Sequence, residues 1–112
     1  SWGNYSNVER TISSDKAKQG SSWTSITGTK PASSVLLTAG ASDDTKKMNI
    51  YDFAGNEWEW TLEKTSNSYG PCAIRGGDYV FTGSGDPASD RFDNSTTGSS
   101  SNVGFRPTLY VN

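Results

Sequence analysis

Asn49-Ile50-Tyr51-Asp52-Phe53-Ala54-Gly55-Asn56-Glu57-Trp58-Glu59-Trp60 is the stretch in which this chain commits to a fold. From Glu57 onward the residues alternate. Trp58 and Trp60 fall on one side of an extended chain and Glu57, Glu59 and Thr61 on the other, which is the two-residue period of a half-buried β-strand. Gly55-Asn56 just before it is a turn pair, because both residue types tolerate positive φ. Working outward, Cys72 to Arg75 predicts a second strand, and Asp78 to Thr82 a third beyond the break at Gly76-Gly77. The C-terminal segment alternates again. Val103, Phe105, Pro107, Leu109 and Val111 share one face, and Gly104, Arg106, Thr108 and Tyr110 the other. Pro107 suits an edge or a bulge there.

The first 47 residues carry a weaker pattern. Trp2, Tyr5, Val8 and Ile12 lie at near-helical spacing and predict a short amphipathic helix that ends at Ser14-Asp15. Ser21 to Lys30 is Ser/Thr-rich and loop-like. Ser34 to Thr38 predicts a short apolar strand stopped by Gly40 and the Asp43-Asp44 turn, and Lys46-Lys47 a solvated face. Gly83 to Asn102 is a long polar connection, of the kind that in a compact domain is functional or disordered.

The chain has 112 residues, enough for one domain. Only 31% of it is hydrophobic, but four Trp, five Tyr and four Phe can supply a small core. A formal net charge of −2 without a Lys/Arg cluster argues against nucleic acid as a partner. No apolar run is long enough to insert into a membrane, and no signal peptide opens the chain. The start at Ser1 reads as a domain taken from the C-terminal part of a longer protein. The absence of His removes Ser-His-Asp and Cys-His sites and His-bound metals. The single cysteine, Cys72, excludes an internal disulfide and reads as a small semi-buried hydrophobe. Glu57 and Glu59 share a face, but glycosidase-type work would need a substrate cleft around them.

The elements Gly55-Asn56-Glu57-Trp58-Glu59-Trp60, Arg75-Gly76-Gly77 and Gly104-Phe105-Arg106 together resemble the signature of the formylglycine-generating, or sulfatase-modifying, family. The resemblance covers residues 49–112 well and the N-terminal part loosely. It implies an α+β, C-type lectin-like fold with short antiparallel strands and long loops, spanning residues 1–112 as a single domain. It also implies ion pairs of Arg75 and Arg106 with Glu57 and Glu59. Enzymes of the family use two cysteines shortly after the RGG element, and Asp78 to Arg91 holds none. The sulfoxide-synthase relatives use three His, and this chain has none. A non-catalytic domain is therefore expected, with no cofactor required. The family's calcium would map to the side chains of Asp52 and Glu59 and the carbonyls of Gly55 and Glu57, an oxygen-rich set suited to that ion; otherwise Asp52 is a turn-capping residue. The Glu-Pro-Asn and Trp-Asn-Asp elements of sugar-binding lectins do not occur.

A second resemblance is to the variable proteins of diversity-generating retroelements, which carry the same RGG and GFR anchors. Their variable segment lies between those anchors and arises by mutation of adenines, chiefly in asparagine codons. Such changes cannot produce Lys, Glu, Gln, Met or Trp. Every Lys, Glu, Gln, Met and Trp of this chain lies at or before Lys64. Plain Ser/Gly/Asp loop bias would leave the same gap. With the family pattern added, the resemblance implies a ligand-binding face made of Asp78, Val80, Phe81, Thr82, Asp86, Asp90, Phe92, Asp93 and Asn94. Tyr79, Gly83, Ser84, Pro87, Ala88, Ser89 and Arg91 would be scaffold. If 78–82 is a strand, alternation sends one of Val80 and Phe81 into the core. The expected partner is a protein or other surface receptor, met on a virion tail or a cell surface. The alternative is a fixed structural or pseudoenzyme domain of the sulfatase-modifying family. Ligand and oligomeric state stay open.

Overall fold

The computed structural model describes residues 2–107, and its regular structure is almost entirely strand. In chain order the described strands are β1 (Arg10–Thr11), β2 (Lys18–Gln19), β3 (Thr24–Ser25), β4 (Thr29–Lys30), β5 (Lys46–Lys47), β6 (Ile50–Tyr51), β7 (Trp58–Lys64), β8 (Cys72–Arg75), β9 (Arg91–Asn94) and β10 (Val103–Gly104). They form three two-stranded ribbons, β1–β4, β2–β3 and β5–β6, and one four-stranded sheet in the order β10–β7–β8–β9. The signature strand β7 is central in that sheet. It pairs antiparallel with β8, which pairs antiparallel with β9, while β10 runs parallel to β7. Ile74 stands opposite both Trp60 and Phe92, and Arg75 opposite both Glu59 and Arg91.

Several expectations need correction. No α-helix occurs among the described residues; the one helical turn is a 3-10 turn at Asp43–Thr45, capped by the Ser42 side chain. The helix expected through Trp2, Tyr5, Val8 and Ile12 is replaced by a bridge at Asn4, a turn at Ser6-Asn7 and the short β1, so the α half of the α+β expectation is not met among the described residues. Asn4 bridges in parallel to Gly55, and the Ser6 amide donates to the Phe81 carbonyl at 3.0 Å. Long-range backbone bonds outcompete the weak helical period. Ser34 to Thr38 forms no strand, only a single bridge from Leu37 to Gln19. The strand expected at 78–82 is absent, and β9 lies inside the stretch taken for loop. Of the described C-terminal residues only Val103–Gly104 is strand, and Phe105 to Pro107 continue without it. Thr108, Leu109, Tyr110 and Val111 lie outside the described residues.

One side chain holds the pieces together. Asn56 is 7% exposed and has φ +67. Its Oδ1 accepts the Leu37 amide at 3.0 Å, and its Nδ2 donates to the Leu37 carbonyl at 2.9 Å. That amide pair copies a β-bridge where no strand exists. The same Oδ1 accepts Asn4 Nδ2 at 2.8 Å, and the Asn56 amide donates to the Asn4 carbonyl at 2.8 Å. Gly55 has φ +68 and lies so close to the Asn4 backbone that a Cβ would strike its carbonyl. Leu37 also belongs to the apolar cluster of Ala17, Ile26, Leu37 and Ala41, so the node is tied to the core. Lys30, wholly buried, donates from Nζ to the Tyr5 and Val8 carbonyls at 2.7 and 2.9 Å. Burial and the neighbouring Arg10 push its amine down to about 8.

Asn56→Ala would strand the Leu37 amide and carbonyl and one Asn4 donor in the interior. Each orphaned group costs about 1–3 kcal/mol, so the unfolding free energy is expected to fall by about 3–5 kcal/mol in urea denaturation. A loss below about 1 kcal/mol would show that the node is not structural.

Candidate ligand-recognition site

The Arg75-Gly76-Gly77 element turns the chain out of β8. Gly77 has φ +73, and a Cβ there would drive into the Asp86 carbonyl, so this close approach fixes where the loop after it returns. The next residue, Asp78, was expected on the binding face. It is instead wholly buried. Its Oδ1 accepts the amides of Val80 and Phe81 at 2.9 and 3.2 Å, and its Oδ2 accepts Asn102 Nδ2 at 2.5 Å. Asp78 is thus a loop-shaping residue that ties 78–81 to the turn before β10.

The loop backbone is held from several directions. The Tyr79 amide donates to the Asn56 carbonyl at 3.1 Å, and Ser34 Oγ donates to the Val80 carbonyl at 3.2 Å. The Gly83 amide donates to Asn7 Oδ1 at 3.3 Å. Because this segment is no strand, alternation does not sort its side chains, and both Val80 and Phe81 are exposed, at 41% and 53%. The expectation that one of them is core is therefore corrected.

Phe81, Asp86, Phe92, Asp93 and Asn94 come together in one pocket of about 310 Å³. Its floor is Trp58 and Ile74, which are 5% and 3% exposed. Phe92 stands over Trp58 with ring centroids 6.2 Å apart and planes tilted by 42°, within the range of favourable aromatic pairs. Ser100, Asn102 and Val103 close the remaining side. Thr82 bonds Ser84 and the Gly85 amide, and Asp90 accepts the Arg91 amide; neither lines the pocket. Val80 also lies outside it. Unforeseen from the sequence were Trp58, Ile74, Ser100, Asn102 and Val103. Trp58 announces itself as a core residue by its alternation, and nothing in Ser100-Ser101-Asn102 distinguishes it from other polar loop.

Glu63 pins the edge strand that carries Phe92. Its carboxylate meets Arg75 Nη2 at 2.8 Å and Arg91 Nε at 2.6 Å. Arg75 was expected opposite Glu57 or Glu59. It does stand opposite Glu59 in the ladder, but its ion pair is with Glu63 farther along β7, beyond the register shift between Trp60 and Lys64. Hydrogen bonds from Arg75, then Arg91, hold the Glu63 carboxyl below its usual 4.5. A carboxyl depressed in the folded state adds stability above its unfolded value, and that stability is lost as pH falls through its folded value. The gap in urea midpoint between the natural chain and Glu63→Gln is accordingly expected to be present at pH 7 and to close as pH drops below about 4.5. A gap independent of pH would rule out the ion pair as its source.

A second pocket, of about 270 Å³, lies under the turn before β7 and contains Asp52, Glu57 and Glu59. Burial pushes Asp52 and Glu57 up, and the Glu59 charge adds to both. The Arg106 guanidinium answers them. Its Nη2 lies 2.5 Å from Glu59 Oε1, its Nε bonds both Glu59 oxygens, and its Nη2 also donates to the carbonyls of Tyr51 and Asp52. The Glu59–Arg106 pair was expected; Glu57 has no arginine partner. Of the oxygens assigned to calcium, Asp52 Oδ2 accepts the Gly40 amide and the Gly55 carbonyl accepts the Glu57 amide. Among the described residues no group of three or more His, Cys, Asp or Glu is placed to hold a metal. In this arrangement the Glu59 carboxylate is met by Arg106. Thermal midpoints are therefore expected to coincide in EDTA and in millimolar calcium; a rise of several degrees with calcium would reinstate the ion.

The chain matches the family model of the sulfatase-modifying factor enzyme 1-like domain over residues 2–109. It belongs to that family. The match extends through the N-terminal segment that the signature elements left loosely covered, and the family's domain is C-type lectin-like. No curated protein and no solved structure matches the chain.

Proposed function

We propose that this domain is a non-catalytic ligand-binding module whose recognition surface is formed by the loop after Gly77 and the edge strand β9. In this reading it is the variable display domain of a diversity-generating retroelement, carried on a phage tail or a bacterial surface protein and facing a protein or other surface receptor. The observation that carries the reading is how the surface is held. Loop 79–83 is anchored through its backbone amides and carbonyls to Asn56, Ser34, Ser6 and Asn7. Strand β9 is anchored through its ladder to β8. The side chains of Val80, Phe81 and Phe92 do none of that work and project outward. A surface built this way tolerates replacement of its side chains without loss of the scaffold, which a diversified binder requires. Exposed aromatics among short polar residues also supply rigid contact area with adaptable hydrogen bonding. The chain's lack of His and of a second cysteine agrees with a role in binding rather than oxidation.

Sequencing the coding segment for residues 65–112 across a natural population of the source tests the reading. Substitutions are expected to concentrate at 80–82, 86, 90 and 92–94, with Asp78, Arg75-Gly76-Gly77 and Gly104-Phe105-Arg106 constant. Asp78 belongs with the constant set because its carboxylate builds the loop. An unvarying segment would favour a fixed structural or pseudoenzyme domain instead.

A further inference from the structure

Building on that recognition reading, we propose that the pocket beneath Phe81 and Phe92 receives a cationic side chain, lysine or arginine, from the protein partner. Its charges are of one sign. Asp86 and Asp93 line it and no Lys or Arg does; the Asp93 side chain leaves β9 on the face away from Phe92, so the charge facing the rings is that of Asp86. Asn67 occupies one Asp93 oxygen. The half-buried Asp86 carboxylate accepts no hydrogen bond and joins no ion pair among the described residues. The carboxylates of Asp78 and Asp90 add to the negative field at Asp86, and burial together with these two charges pushes its carboxyl up. An incoming positive charge would relieve that penalty.

The cations nearest along the sheet are already engaged. Arg75 and Arg91 are drawn to Glu63, and Arg91 precedes Phe92 in β9, so the two side chains leave the strand on opposite faces. The pocket walls suit the rest of such a side chain. The rings of Phe81, Phe92 and Trp58 offer apolar surface to a methylene stem and π faces to an ammonium or guanidinium head. Phe81 and Phe92 are exposed at the opening, giving apolar surface beside a charged hole. That is the anatomy of an interface anchor point rather than of an enclosed small-molecule site.

The test is amide NMR on the full chain, titrated with capped tripeptides centred on lysine, arginine, norleucine or glutamate. The expected result is millimolar binding of the lysine and arginine peptides, with shifts confined to Trp58, Phe81, Asp86 and Phe92. Affinity is expected to be roughly tenfold weaker in Asp86→Asn and in Phe92→Ala, with urea midpoints reported alongside to confirm that both variants fold. Equal binding of the norleucine peptide at the same residues would overturn the cationic specificity while leaving the recognition surface intact. Absence of shifts at these residues with every peptide would overturn the pocket as an anchor point. The population sequencing above answers separately for the recognition reading itself.

Discussion

The amide of Asn56 is the constraint on which the rest of this structure depends. A small domain with ten strands among its described residues, seven of them two residues long, cannot rely on extended ladders to join its parts. Asn56 supplies a ladder rung from a side chain, binding both the donor and the acceptor of Leu37, and it holds Asn4 through a second pair of bonds. The N-terminal segment, the 35–37 segment and the turn into β7 therefore meet at one residue. Its carbonyl extends the same junction to Tyr79, the first residue of the exposed loop. Left-handed backbone at Asn56 and the missing side chain of Gly55 are what allow three backbones to approach so closely.

From that junction outward, fixed and free parts separate cleanly. Fixed elements use backbone atoms or buried polar side chains: Asn56, Asp78, and Gly77 packed against the Asp86 carbonyl. Free elements are the side chains of 80, 81 and 92. The separation gives the family's RGG element a second task besides shaping the end of β8. By setting Gly77 against Asp86, it positions the loop whose far end lines the pocket. A backbone held by backbone is indifferent to the residues it presents, and this indifference is the physical content of the display reading.

The signature strand, its β8 partner and the Glu59–Arg106 pair were legible in the sequence because alternation and paired charges act locally and survive in a one-dimensional pattern. The ribbons formed by β1 to β6 were not, since two-residue strands carry no measurable period. The expected helix through Tyr5 and Val8 failed for a related reason. Tyr5 is buried beside the loop at Gly76 and Asp86, and Lys30 takes the Tyr5 carbonyl, so contacts distant in sequence decide its backbone. Of the nine residues nominated for the site, Phe81, Asp86, Phe92, Asp93 and Asn94 line one pocket. Asp78 was misplaced because an Asp opening a polar loop looks the same whether it faces solvent or caps the next two amides. Trp58, at the pocket floor, was assigned to the core and serves both purposes.

The distribution of charge about β9 follows from the same geometry. Successive residues of a strand face opposite ways, so Arg91 and Phe92 cannot share a side. Glu63, at the end of the long β7, gathers Arg75 and Arg91 onto one face, and the other face is left with aromatic rings and the Asp86 carboxylate. An uncompensated, half-buried carboxylate is costly to the isolated domain. In a structural domain that cost would be relieved by an internal cation, as Arg106 relieves Glu59 at the neighbouring pocket. The two pockets differ in what the chain itself supplies: Arg106 lines the first and meets Glu59 there, though it leaves Glu57 unpaired, whereas no cation of the chain lines the pocket of Asp86.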